Sequence, residues 1–161
     1  MKLTPNFSLE ELTFSQVASR RGIDNTPSAK VKDNLERLAL FLEQVRKVVN
    51  KPISISSGYR SKEVNESVGG SKTSQHCEGC AADFNVKGMS PDAVVRAIVT
   101  ADIPYDQVIL EFDSWVHISI PTVKGGTPRK QALIIDNKGK RDFKWRKLLQ
   151  LRWVNKRRLV R

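Results

Sequence analysis

The sequence predicts an α+β fold in which a small, mostly antiparallel sheet carries helices packed on it. Three observations predict it. Val31, Leu35, Leu38, Leu42 and Val45 recur at spacings of three and four, which marks an amphipathic helix of about five turns. After Pro52 the pattern changes to short alternating or apolar runs of strand length at 53–56, 81–86, 108–112 and 115–120. The last two are joined by a connection too short for anything but antiparallel neighbours. Helices early and strands later are the segregated order of an α+β domain.

Taken in order, Phe7-Ser8-Leu9-Glu10-Glu11-Leu12 opens a helix. Ser8 caps it, and Glu11 three residues on completes a capping box. Asn25-Thr26-Pro27-Ser28 is a turn that closes the opening segment. The long helix over Val31–Val45 turns its apolar stripe to the core. Ile53-Ser54-Ile55-Ser56 alternates as a strand and stops at Gly58. Residues 61–68 predict a short helix halted by Gly69-Gly70, and 81–86 a second strand. Ser90-Pro91-Asp92 supplies a cap and a first-turn proline for a helix running to about Thr100. Residues 133–135 are expected to add an edge strand. Beyond Lys140 aromatic, aliphatic and basic residues interleave, and helix and extended tail both stay open. No internal repeat or low-complexity linker interrupts the chain.

With 161 residues, 39% hydrophobic and 28% charged, the chain suits one soluble domain with a real core. No apolar run approaches the roughly 20 residues a membrane span needs. The first residues lack an apolar stretch of signal-peptide length and soon meet Glu10 and Glu11. Synthesis in a cytoplasm is therefore expected, with any work outside following release by another agent. The net charge of +11 is concentrated at one end. From Lys124 to Arg161 there are 14 Lys/Arg against two acids, +12, leaving 14 basic and 15 acidic residues, −1, in the first 123. The expected organisation is a domain over 1–123 and a basic extension over 124–161. Such a block seeks anionic polymers or lipid headgroups. Two cysteines, Cys77 and Cys80, are too few for a disulfide-stapled fold.

The chain has two histidines. His76 lies in Ser74-Gln75-His76-Cys77-Glu78-Gly79-Cys80-Ala81-Ala82-Asp83, with a carboxylate seven residues later at the start of a strand and Gly79 allowing a sharp turn between them. His117 lies on the apolar strand Trp115-Val116-His117-Ile118. Two imidazoles and a carboxylate suit a catalytic zinc site with its fourth position open. On spacing alone, a hydrogen-bonded structural histidine is the commoner use of a residue like His117. Cys77 and Cys80 offer a rival Cys2His2 site, but adjacent His76 and Cys77 have difficulty reaching one tetrahedral ion, and the gap to His117 matches no finger spacing. A redox dithiol lacks the flanking strand–helix pattern.

Ser57-Gly58-Tyr59-Arg60-Ser61, Val64-Asn65, Val68-Gly69-Gly70, the run from Ser74 through His76, Gly79 and Ala81 to Asp83-Phe84, and Trp115-Val116-His117 together resemble the zinc D-Ala-D-Ala carboxypeptidase family. That family includes actinomycete DD-carboxypeptidases, vancomycin-resistance dipeptidases and phage endolysins, and shares its fold with hedgehog signalling domains. The resemblance runs from about residue 7 to residue 121. It implies His76, Asp83 and His117 as zinc ligands, Arg60 as the arginine steadying substrate and oxyanion, and Ser74 as a substrate contact. It also implies Trp115 as a pocket wall, with a core role as the alternative.

In such a site a carboxylate takes the proton of the attacking water and passes it to the leaving amine. Glu111, six residues before His117, is the expected base, with Asp113 as competitor. Other family members carry the acid where this chain has Ser114. A three-residue loop at 112–114 pairs Glu111 with Trp115 and puts both on the face of His117. A two-residue loop pairs Glu111 with Val116 and turns it away.

The resemblance therefore implies a monomeric, zinc-dependent peptidase acting on peptidoglycan stem peptides, as carboxypeptidase or endopeptidase. Small size and a basic tail fit a phage endolysin that reaches the cell wall after release. A non-catalytic zinc-binding wall or virion module of the same fold is the alternative. Nucleic acid is the weaker partner for Trp145, Trp153 and their basic neighbours, because no recognition motif accompanies them.

Overall fold

The computed structural model describes residues 1–144. The interleaved tail, including Trp145 and Trp153, lies outside the described residues. The chain opens with a hairpin of β1 (Lys2–Thr4) and β2 (Phe7–Ser8), which its sequence does not announce. Helix α1 (Leu9–Thr13) starts as expected, with Ser8 Oγ accepting from the Glu11 N–H. Helix α2 (Gln16–Arg21) follows, ended by Gly22 in the left-handed region.

The long helix α3 (Ala29–Val49) is capped by Ser28, whose hydroxyl accepts from Val31 N–H. Of the five residues in the predicted stripe, Leu35, Leu38, Leu42 and Val45 are fully buried and Val31 is half-buried. Each such leucine stabilises the fold by about 1.5–3 kcal/mol of burial. Helix α4 (Lys62–Ser67) and α5 (Pro91–Ala101) match the predicted positions, capped by Ser61 and Ser90. Among the described residues no helix is long and apolar enough to cross a membrane.

Among the described residues the main sheet has six strands in the order β3 (Ile53–Ser57), β4 (Ala81–Val86), β6 (Trp115–Ser119), β5 (Gln107–Glu111), β7 (Gln131–Asp136) and β8 (Gly139–Asp142). All neighbours are antiparallel except β5 and β7, so the α+β expectation holds with one parallel pair. Strand alternation then sorts the side chains. Ala82, Phe84 and Val86 of β4, Val108 and Leu110 of β5, and Val116 and Ile118 of β6 join α3 and α5 in one core. Their neighbours in sequence point to the other face. On that face the register sets Asp83 opposite His117 and Glu111 opposite Trp115.

One expectation is corrected: residues 133–135 lie in β7, which is not an edge strand, because among the described residues β8 lies outside it. The sheet runs on past residue 123 through Asp142. The β8 sequence, Gly-Lys-Arg-Asp, is exposed throughout and carries no apolar alternation. It is held by backbone pairing and by a bidentate Arg141–Asp136 ion pair at 2.8 and 2.9 Å.

Asp106 joins this added part to the rest. Its carboxylate accepts from the Arg129 backbone N–H at 2.9 Å, Arg129 Nη2 at 2.7 Å and Gln75 Nε2 at 2.9 Å. Burial raises the Asp106 carboxyl, but the bonds from Arg129 and Gln75 outweigh it and hold it below the usual range. A carboxyl lowered on folding adds stability that is fully present above its unfolded value, about pH 4, and is lost as pH falls through the folded value. Arg129 is half exposed, which discounts the pair. Asp106→Asn is expected to cost about 1–3 kcal/mol in urea unfolding at pH 7. The gap to wild type should narrow by pH 3, and a gap independent of pH refutes this role for Asp106.

Candidate metal centre

Three chain segments meet on the sheet face opposite α3 and α5. Asp83 projects from β4 and His117 from the facing position on β6. His76 comes from a short 3-10 turn, Gln75–Glu78, rather than an irregular loop. Ser74 caps that turn, its hydroxyl accepting from the His76 N–H at 3.2 Å. Gly79 ends it at φ 72°, where a side chain would meet Val31 of α3 at 2.9 Å. The two constraints, left-handed backbone and close approach, both demand glycine.

One ligand atom from each of His76, Asp83 and His117 lies within 4.8 Å of the other two. His76 Nε2 is 3.2 Å and His117 Nδ1 is 3.0 Å from Asp83 Oδ1. The other ring nitrogen of His76, Nδ1, donates to the Gly58 carbonyl at 2.7 Å. That bond fixes the tautomer and leaves Nε2 to the centre. Burial lowers the His76 pKa and favours the neutral imidazole that a metal requires. Burial raises the Asp83 carboxyl, yet the hydrogen bonds from His117 and His76 prevail and hold it well below the usual carboxylate range. A neutral imidazole, a second imidazole and an ionised carboxylate, all converging, fit a divalent ion of borderline softness.

The segment after β3 clasps this cluster. The Gly58 carbonyl holds His76, the Arg60 N–H donates to the His76 carbonyl at 3.1 Å, and Arg60 Nη2 reaches Asp83 Oδ2 at 3.3 Å. Arg60 is itself held, through Nε to Ser57 Oγ and Nη1 to Asn65 Oδ1, each at 3.2 Å. A guanidinium has five N–H bonds, so donors remain for a substrate oxygen. Asn65 is buried and also donates to the Ser71 carbonyl, while Asn25 ties the α1 end to Tyr59 and Ser61. Asn65, Asn25 and Gln75 escape a sequence reading, since their partners are revealed only by folding. The run Tyr59-Arg60-Ser61 to Val64-Asn65 is the one signal that draws attention to Asn65.

Gly58 is the tightest point of the clasp. A Cβ there would lie 2.3 Å from the Leu12 carbonyl oxygen, a backbone atom of α1. Gly58→Ala is expected to push the clasp off His76, destabilising the fold by about 1–3 kcal/mol. Metal affinity should fall about 10- to 100-fold, the scale for losing a partner of a ligand. Metal titration and denaturant unfolding check both, and unchanged affinity would show that the clasp does not position His76.

Glu111 lies next to the cluster. The connection 112–114 has three residues, Glu111 pairs with Trp115, and Glu111 Oε1 is 3.9 Å from His117 Nδ1. Burial, with the charge of Asp83 second, raises its carboxyl above the ordinary value. Asp113 is exposed at the hairpin tip. Trp115 shares the face of His117, half-buried, with its ring against Phe112. Ser74 Oγ accepts the capping bond, and its own O–H stays free to donate to a substrate. Cys77 and Cys80 are both free, and neither joins the cluster. Cys80 is fully buried, its thiol pushed up to about 11 chiefly by burial.

No curated protein matches the chain. A family model described as Peptidase M15 matches residues 5–119, a span that holds the clasp, the three converging side chains and Glu111, and the chain belongs to that peptidase family.

Proposed function

We propose that the chain is a zinc-dependent peptidase that hydrolyses stem peptides of peptidoglycan, as a D-Ala-D-Ala carboxypeptidase or an endopeptidase. One observation carries this reading: three ligand atoms lie within 4.8 Å of one another, with the Glu111 carboxylate 3.9 Å from the nearest imidazole. His76 Nε2, Asp83 and His117 Nδ1 would hold the ion, which when bound acidifies a water and polarises a carbonyl.

Glu111 takes the proton of the attacking water and returns it to the leaving amine. Its partly desolvated site makes it a stronger base than an exposed carboxylate. Arg60 keeps Asp83 oriented and offers its remaining N–H bonds to the developing oxyanion. Trp115 walls the site beside Glu111. The ordered motifs around Arg60, His76 and His117 support a stem peptide as substrate.

The basic residues from Lys124 onward suit retention on anionic envelope polymers or lipid, an attraction that weakens with salt. Together these features favour a phage endolysin, made in the cytoplasm and acting at the wall after release. Digestion of defined muropeptides, read by mass, tests the reading. One new stem-peptide product is expected, lost on chelation and restored by zinc. No product, or a product indifferent to chelation, overturns it.

A further inference from the structure

At the tip of the β5–β6 hairpin, Phe112 and Asp113 both hold left-handed backbone, at φ 51° and 52°. Asp tolerates this region, but a bulky side chain does so only under strain. Phe112 is also 45% exposed. One residue thus combines a disfavoured backbone with an aromatic ring in water.

The fold does not call for that ring. The Phe112 backbone N–H donates to the Ile135 carbonyl at 2.8 Å, and its carbonyl accepts from Ser114 Oγ at 2.8 Å. Glycine or asparagine would make both bonds with less strain. The ring lies instead against Trp115, centroids 5.7 Å apart with planes inclined at 32°. Trp115 faces Glu111 across the hairpin and sits two residues from His117 on the same strand face. The two rings therefore form an apolar ledge at the outer margin of the metal centre.

Strand order fixes which half of a substrate this ledge meets. Across the sheet the site runs from Arg60 beyond β3, through Asp83 on β4 and His117 on β6, to Glu111 on β5. Arg60 and Phe112 stand at opposite ends of that row. The proton for the leaving amine comes from Glu111, at the Phe112 end.

We propose that Phe112 and Trp115 bind the hydrocarbon side chain of the residue on the leaving-amine side of the scissile bond. The proposal rests on the endopeptidase form of the reading above, since a D-Ala-D-Ala carboxypeptidase releases an alanine that has only a methyl to bind. Strain and exposure at Phe112 are then retained for substrate selection, in the usual exchange of stability for function.

The test uses the zinc-loaded full chain and two synthetic stem peptides that differ only on the leaving side, one with a long aliphatic side chain and one with alanine. Wild type should prefer the long side chain. Phe112→Asn should raise KM for that peptide roughly tenfold and leave the alanine peptide within about twofold. Its kcat should hold and its unfolding midpoint should be no lower than that of wild type. Phe112→Tyr, which keeps the ring, should restore the preference. Equal KM for the two peptides in wild type and Phe112→Asn overturns the proposal while leaving the peptidase reading intact. A lowered midpoint with equal losses on both peptides also overturns it, by making Phe112 a structural residue. If wild type cleaves neither peptide nor any muropeptide, the peptidase reading fails and takes this proposal with it.

Discussion

Glu111→Gln is expected to lower kcat by roughly 10²- to 10⁴-fold while the protein keeps a full equivalent of metal. Glutamine preserves the shape and hydrogen-bonding reach of the side chain but cannot accept a proton at neutral pH. The carboxylate stands outside the converging trio, 3.9 Å from His117 Nδ1, so its loss should not open the metal centre. Metal analysis beside single-turnover kinetics separates the outcomes. Wild-type turnover in the variant would move the base to Asp113, and Asp113→Asn would then be the inactive form. Loss of metal would make Glu111 a ligand instead.

Asp83→Ala has the larger reach, because Asp83 serves three partners. Its Oδ1 faces both imidazoles at 3.0 and 3.2 Å, and its Oδ2 takes Arg60 Nη2 at 3.3 Å. Alanine removes one of the three side chains proposed to hold zinc, and metal affinity is expected to fall by at least about two orders of magnitude, with turnover undetectable. It also leaves the mostly buried Arg60 guanidinium without its carboxylate. Breaking one side of such a pair costs about 3–5 kcal/mol when fully desolvated. Arg60 retains 17% exposure, so about 3 kcal/mol is expected for the metal-free protein in urea. A variant as stable as wild type would mean that the pair holds neither residue in place.

Much of this centre was legible in the sequence because its chemistry is scarce and its strands alternate. Two histidines in 161 residues leave little choice of imidazole. The apolar partners at 82, 84, 116 and 118 turn Asp83 and His117 to the opposite face without any knowledge of the fold. The loop length was open between two and three residues; the choice of Glu111, taken from the resemblance, required the longer loop, and 112–114 has three residues. What stayed hidden was the polar support. Asp106 meets Gln75 and Arg129 across separations of 31 and 23 residues, and Asn34 meets Glu78 across 44. No local pattern encodes those meetings. Strand β8 was invisible for another reason: with every residue exposed, it lacks the alternation by which strands are recognised. Helix α2 and the first hairpin are too short for periodicity to register.

The one parallel pairing has a practical consequence. The matched family span closes at Ser119, yet β5, the strand that presents Glu111, is zipped along its far side to residues 131–135. An expression boundary drawn at the end of that span would strip β5 of a neighbour along its whole length. It would turn the strand that bears Glu111 into a bare border with a row of unsatisfied amides and carbonyls, prone to recruit a strand from another molecule. Any shortened version of the enzyme that is meant to work should therefore retain the chain through Phe143, whose N–H still donates to the Ala132 carbonyl.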